Sequence, residues 1–175
     1  ENNSGKGVGV RLDYAPTSSS VISYYNLFSQ EAGTKLRTFN GVGAKVTSGR
    51  IALLGQFDLG TQDRSNGADG TATWYGFTGI VRAQLAPTVF ASVRGERFSD
   101  EHQVIIATGV VDDVANAPFQ GNGLSFGLDW TPQSRLLWRT ELRGFQNKQS
   151  VFPNGNNAGL SKRDAFAVTS IALTF

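Results

Sequence analysis

From Gly123 to Pro132 the chain alternates strictly. Leu124, Phe126, Leu128 and Trp130 fall on one side, and Ser125, Gly127 and Asp129 on the other. A period of two residues predicts a β-strand, because a helix would mix the two sets. After Pro132-Gln133-Ser134 the pattern resumes, with Leu136, Trp138, Thr140 and Leu142 set against Arg139, Glu141 and Arg143. The same unit stands near the start, where Val8, Val10, Leu12 and Tyr14 oppose Gly9, Arg11 and Asp13. Residues 9–16 and 126–132 share a Leu-Asp-aromatic-x-Pro ending, and Tyr75 to Pro87 is a looser third copy. Proline cannot donate to a strand ladder, so each ending predicts a turn.

Partner strands rise from those turns. Val89, Ala91, Val93 and Gly95 oppose Ser92, Arg94 and Glu96, while Ile51, Leu53, Gly55, Phe57 and Leu59 oppose Gln56 and Asp58. Residues 21–29 and 35–47 also read as strands. In 35–47 either phase leaves Asn40 or Lys45 on the apolar side, so the register there stays open. The last strand alternates as well, with Ala167, Thr169, Ile171, Leu173 and Phe175 on one face. The reading predicts about nine strands, near 7–16, 21–29, 35–47, 50–61, 74–86, 88–98, 123–131, 135–146 and 164–175. At roughly 9–11 residues each, they have the length a tilted strand needs to cross a bilayer. Val104 to Val111 is a candidate for one more.

The connections alternate in kind. Tight ones are expected near 16–20, 47–50, 86–88 and 131–135, and long ones near 30–34, 61–72, 98–121 and 147–163. Short turns at one rim and long polar loops at the other are features of an outer-membrane β-barrel. A soluble calycin-type barrel would alternate equally well with its faces reversed. Three features favour the membrane version: the loop asymmetry, the aromatic-ended last strand, and Tyr14, Tyr75, Trp130 and Trp138 near strand ends on the apolar face. The predicted fold is an all-β, antiparallel up-and-down transmembrane barrel, with residues 1–175 as a single domain. Counting back from Phe175 at the short-turn rim, nine strands put the first at the long-loop rim. Bacterial barrels have an even strand number, so the chain is expected to be the C-terminal part of a larger barrel. It opens on Glu1 without Met, as a processed form or fragment would.

Composition fits this picture. No apolar run reaches the length of a transmembrane helix, but a barrel defeats that test because half of each strand faces a polar lumen. The 21 glycines and 12 phenylalanines, against 5 prolines, suit twisted strands with aromatic girdles. The absence of cysteine removes disulfides, thiolate metal sites and cysteine nucleophiles. The net charge of +2 is spread out, without the basic cluster that marks nucleic-acid binding.

The segment Gly123-Leu-Ser-Phe-Gly-Leu-Asp-Trp-Thr-Pro132, then Leu137-Trp-Arg-Thr-Glu-Leu-Arg143, Val151-Phe152 and the terminal strand resemble the end of the OmpL-like β-barrel porins of the bacterial outer membrane. The likeness covers the last third of the chain, and residues 7–97 share only the hairpin style. It implies a Gram-negative outer-membrane location and a diffusion channel for small hydrophilic solutes. Family members are longer than this chain.

On this reading Arg11, Asp13, Asp58, Arg82, Arg94, Glu96, Asp129, Arg139, Glu141 and Arg143 line the pore. Their signs nearly balance, which argues against strong ion selectivity. The alternative is that they pair across strands and merely solvate a narrow interior. Tyr14, Tyr75, Trp130 and Trp138 form the lipid-facing girdle, and Phe175, Leu173 and Ile171 the assembly signal. The expected partners are outer-membrane lipid, the barrel-assembly machinery and other outer-membrane proteins. A non-conducting scaffold barrel, its lumen filled by Phe90, Phe98, Phe145 and Phe166, is the second reading.

No enzyme, cofactor or metal is expected. His102, the single histidine, lies in the polar stretch 99–102 with no second imidazole or orienting motif in the sequence. Asp63 to Gly70 has the composition of a calcium loop but not the spacing, with Trp74 where an EF-hand needs glutamate. Asp112-Asp113 and 152–157 read as solvated loop.

Overall fold

The structure, a computed structural model, describes residues 5–31, 35–63, 70–108, 117–154 and 159–175. Its strands are β1 (Gly7–Thr17), β2 (Ser20–Glu31), β3 (Lys35–Ser48), β4 (Ile51–Asp63), β5 (Thr71–Ala86), β6 (Val89–Asp100), β7 (Phe119–Gln133), β8 (Leu136–Asn147), β9 (Phe152–Pro153), β10 (Leu160–Ser161) and β11 (Arg163–Leu173). Nine of them form one sheet in the order β1-β2-β3-β4-β5-β6-β7-β8-β11, and β9 pairs with β10 separately. Every neighbouring pair in the large sheet is antiparallel. This is the expected up-and-down meander. No ladder joins β1 to β11 among the described residues, so the sheet has two edges.

Four links between consecutive strands are two residues long, at 18–19, 49–50, 87–88 and 134–135. Gly49, at φ +55°, makes the β3–β4 turn, where a side chain would be strained. The ladder slips beside three of the tight links, between Tyr14 and Thr17, Gln84 and Ala86, and Trp130 and Gln133. Two of these bulges contain Pro16 and Pro132, whose missing N–H cannot hold the register. The repeated proline ending is therefore a bulge inside the strand's last turn.

Some expectations need correction. The β2–β3 connection is short, because β2 continues to Glu31 and only 32–34 separate it from β3. The candidate strand at Val104 is absent: residues 101–108 form turn and irregular backbone, and 109–111 lie outside the described residues. The final ladder stops at Leu173, one outward position before Phe175, although Thr174 N still donates to the Arg135 carbonyl at 3.0 Å.

The open phase of β3 is settled by its ladder. Val42 pairs with Tyr24 and Phe57, which puts Asn40 on the apolar face and Lys45 on the polar one. Asn40 is tolerated there because the Tyr24 hydroxyl donates to its Oδ1 at 3.0 Å, and Asn26 Nδ2 donates to Tyr24 at 3.3 Å. A hydrogen-bonded polar cluster costs far less in an apolar setting than an isolated amide.

The two faces differ in shape as well as chemistry. On the polar face, side chains two strands apart converge, as in Arg82 of β5 with Asp129 of β7. On the other face Leu12, Phe126 and Leu142 stand 62%, 55% and 57% exposed. The polar face is thus the concave one. Buried hydrophobic residues are confined to Ala72 and Trp74 among those described, so no dry core lies inside the curve.

The apolar face also has bounds. Register places Arg97, Asn122, Gln146 and Arg163 in one polar row, and Trp130 opposite Trp138 near the tight turns. Asn122 and Trp130 are eight residues apart (130 − 122). That is about 27 Å along a strand, or about 21 Å of height at a tilt near 40°, close to the apolar band of a membrane barrel.

Candidate functional site

The alternation that makes the strands also gathers the charges. Arg82, Arg94, Glu96, Asp129, Arg139, Glu141 and Arg143 stand on the polar face of β5–β8 and form two linked clusters. Asp129, 7% exposed, lies between two guanidiniums: Arg139 donates to it through Nε and Nη2 at 2.7 and 2.8 Å, and Arg82 Nη2 approaches at 3.3 Å. Arg82 also lies 3.8 Å from the centre of the Phe90 ring, a cation–π contact. One strand-level away, Arg94 donates to Glu141 and, through Nε, to Ser125 Oγ at 3.2 Å. Glu96 lies 3.9 Å from Arg94 Nε and accepts from Arg143, whose Nε is at 3.1 Å. Asp129 is buried but its arginine partners, like both members of the other pairs, are partly exposed, so each pair is worth at most about 1 kcal/mol. Their larger effect is geometric, since every guanidinium is held by a carboxylate rather than sweeping freely across the concave space.

The remaining charges sit on the other half of the wall. Asp58 of β4 accepts from the Tyr25 hydroxyl and from Gln56 Nε2, the latter at 2.8 Å. Arg11 and Asp13 pair along β1, with Nε 3.0 Å from Oδ2, apart from the β5–β8 network. All the residues expected to line a pore therefore share the polar face, and most of them pair, as the alternative reading anticipated.

What the sequence reading missed is how thin this wall is. Tyr25 is paired with Gly41, Trp74 with Gly60 and Glu96 with Gly123. A Cβ at Gly41 would lie 2.2 Å from the Tyr25 ring, and one at Gly60 would lie 2.0 Å from the Trp74 indole. At Gly123 it would come 2.4 Å from the Glu96 carboxylate. Each large side chain therefore lies flat over a neighbouring glycine instead of rising from the wall.

Towards the long-loop rim the concave face becomes aromatic. Phe98, Phe119, Phe152, Phe145 and Phe166 follow one another at ring spacings of 6.1–6.2 Å. The residues read as lumen bulk, Phe90, Phe98, Phe145 and Phe166, are all on this face. A hollow of about 580 Å³ lies among Trp74, Phe98, Phe119, Phe145, Ile105 and Ile106. The two isoleucines reach it because Asp100, fully buried, ties back the chain leaving β6. Its carboxylate accepts from the backbone N–H of Val104, Ile105 and Ile106 at 3.0, 2.7 and 2.9 Å. Asn147, 2% exposed, anchors the other side by accepting from Gln120 N at 2.6 Å and donating to the Gln149 carbonyl at 3.0 Å. A short aspartate after a strand is a known backbone-binding signal. The sequence reading had only noted a polar stretch there.

Tyr14, Trp130 and Trp138 stand on the apolar face near the tight turns, and Tyr75 on the same face near the long-loop rim. Trp130 and Trp138 are 6.0 Å apart. Ile171 and Leu173 are exposed on that face, while Phe175 lies beyond the ladder and fully exposed. His102 is exposed in the turn after β6, and residues 64–69 and 112–113 lie outside the described residues. Among the described residues no group of three or more metal-ligating side chains assembles.

No curated protein is similar enough to the chain to match it. Residues 1–175, the whole chain, match the family described as "Putative beta-barrel porin-2, OmpL-like", and the chain belongs to that family of β-barrel porins.

Proposed function

We propose that the chain forms the wall of an outer-membrane channel for passive diffusion of small hydrophilic solutes. The observation that carries this reading is the flattened concave face: charged and aromatic side chains lie over Gly41, Gly60 and Gly123, and a hollow of about 580 Å³ stays open in front of Asp58, Trp74 and Glu96. A barrel filled for scaffolding would raise its bulk into that space. The exposed convex side, banded by a polar row above and by Trp130 and Trp138 below, supports lipid contact. A calycin-type barrel would instead turn Leu128 and Trp138 inward, yet both stand on the convex face.

The edges of the sheet belong to the same proposal. Unpaired strand edges do not persist in hydrocarbon. With nine strands, each antiparallel to the next, β1 and β11 run in the same direction. An antiparallel closure therefore takes an odd number of further strands between them, giving the even total of bacterial barrels. Assembly through β11, with Ile171, Leu173 and Phe175 facing the machinery, is part of this reading. The expected pore is weakly selective, because Arg11, Arg82, Arg94, Arg139 and Arg143 of the concave wall are matched by Asp13, Asp58, Glu96, Asp129 and Glu141.

The test is single-channel recording of the full-length protein in planar bilayers. Discrete conductance steps with a small reversal potential in a salt gradient are expected. A sealed barrel that co-purifies with other outer-membrane proteins would overturn the channel and favour the scaffold.

A further inference from the structure

The convex face is dented at Gly144. This residue has no side chain, and beside it on β11 Ala165 and Ala167 offer only methyl groups. Leu124, Phe126 and Leu142 stand around them, and the hollow so framed measures about 1030 Å³. In lipid an unfilled hollow forfeits dispersion contacts that an ordered chain would recover. Directly above it, register aligns Arg97, Asn122, Gln146 and Arg163 in a row across β6, β7, β8 and β11. Arg97 Nη1 donates to Asn122 Oδ1 at 3.0 Å, which holds the guanidinium along the row, and Arg163 is exposed at its far end. The row itself contains no carboxylate. Asp164 borders the hollow, although register turns it to the opposite face, and Glu101, beyond the row, accepts from Gln120.

We propose that this dent is a lipid site. An acyl chain lies over Gly144, Ala165 and Ala167, and the phosphate of the same lipid sits on the Arg97–Arg163 row. The inference rests on the membrane reading of the convex face. Apolar fit alone would accept any acyl chain; the two guanidiniums, three strand spacings apart, favour an anionic phosphorylated headgroup, to which each offers paired N–H donors. A second copy of the chain fits the dent poorly. A two-fold axis along the membrane normal would bring the two arginine rows to the same height, like charge against like.

The experiment uses the full chain in phosphatidylcholine nanodiscs containing a small fraction of lipid A, a phosphorylated multi-acyl glycolipid, with native mass spectrometry as the readout. One lipid A molecule should remain bound to the wild-type protein in preference to phosphatidylcholine, whose phosphate is charge-balanced by choline. Arg97→Gln with Arg163→Gln should weaken that binding about thirtyfold, at roughly tenfold per 1.4 kcal/mol and about 1 kcal/mol per basic residue. Gly144→Leu should abolish it while leaving insertion and conductance unchanged. Equal binding by both variants would overturn the proposal, as would a dimer formed through this face without the lipid. Insertion with no lipid adduct overturns this proposal alone. Failure to enter any bilayer overturns the membrane reading and the site with it.

Discussion

Replacing Gly60 by alanine isolates the device that keeps the wall thin. The new Cβ would lie 2.0 Å from Trp74 Cε2 and 2.1 Å from Cζ2, so the indole must leave its place. Trp74 is 3% exposed, and moving it forfeits part of that burial. Overpacking of this kind costs about 1–3 kcal/mol. The backbone effect runs the other way, since alanine in a strand is favoured over glycine by about 0.5–1 kcal/mol. Any destabilisation therefore comes from the clash. Gly55→Ala is the matched control, because nothing lies within 4 Å of its built Cβ. The assay is urea unfolding in lipid vesicles, followed by the fluorescence of Trp130 and Trp138, within a double-mutant cycle with Trp74→Ala. The clash should cost Gly60→Ala about 1–3 kcal/mol in the wild type, less the backbone gain of about 0.5–1 kcal/mol, and only that gain should remain when Trp74 is absent. Open-channel conductance should fall in Gly60→Ala and rise in Trp74→Ala. If Gly60→Ala costs the same with and without Trp74, the indole is not seated on Gly60 and the thin-wall argument fails.

Other perturbations probe separate parts of the structure. Asp129→Asn leaves Arg82 and Arg139 without their carboxylate; it should destabilise by about 1–3 kcal/mol and shift the reversal potential towards anion preference, whereas an unchanged potential would place the cluster off the conduction path. Asp100→Ala removes the acceptor of three backbone N–H groups; amide exchange at Val104, Ile105 and Ile106 should accelerate and stability fall by about 2 kcal/mol, and unchanged exchange would mean the segment is held by other contacts. Leu142→Arg, midway between the polar row and the tryptophan level on β8, should cost about 2–4 kcal/mol in bilayers, but Trp138→Arg only about 0–1 beyond the lost ring contact. Equal costs at both depths would contradict a lipid-facing convex side.

Much of the fold was legible because each strand carries its own period-two record. The faces of Leu136 to Arg143 could be assigned from spacing alone, and every ladder agrees with them. Where the pattern was impure the phase could not be chosen. In β3 both options exposed a misplaced polar group, and only the hydroxyl of Tyr24, on another strand, makes Asn40 acceptable. Leu54 and Ile80 likewise sit on the polar face, which no alternation rule would have forecast. Strand ends were less legible, because β2, β4, β5 and β7 run past their expected ends into the rim, where the apolar band stops and no longer imposes a pattern.

The concave wall was legible in its list of charges but not in its thickness, and the reason lies in register. A two-residue turn fixes which residues face each other, as at Ser48 and Ile51. The pairs that flatten the wall are elsewhere. Tyr25–Gly41, Trp74–Gly60 and Glu96–Gly123 lie across the connections at 32–34, 64–70 and 101–118. Those connections are not tight two-residue turns, so their lengths say little about register, and a slip of one residue would have moved each glycine to the convex face. Seen singly, these glycines read as ordinary strand twist. Seen opposite a large side chain, each becomes the place where bulk is stored without filling the concave space. Alternation therefore decides which chemistry lines the concave face, and the glycine pairing decides how much open space is left in front of it.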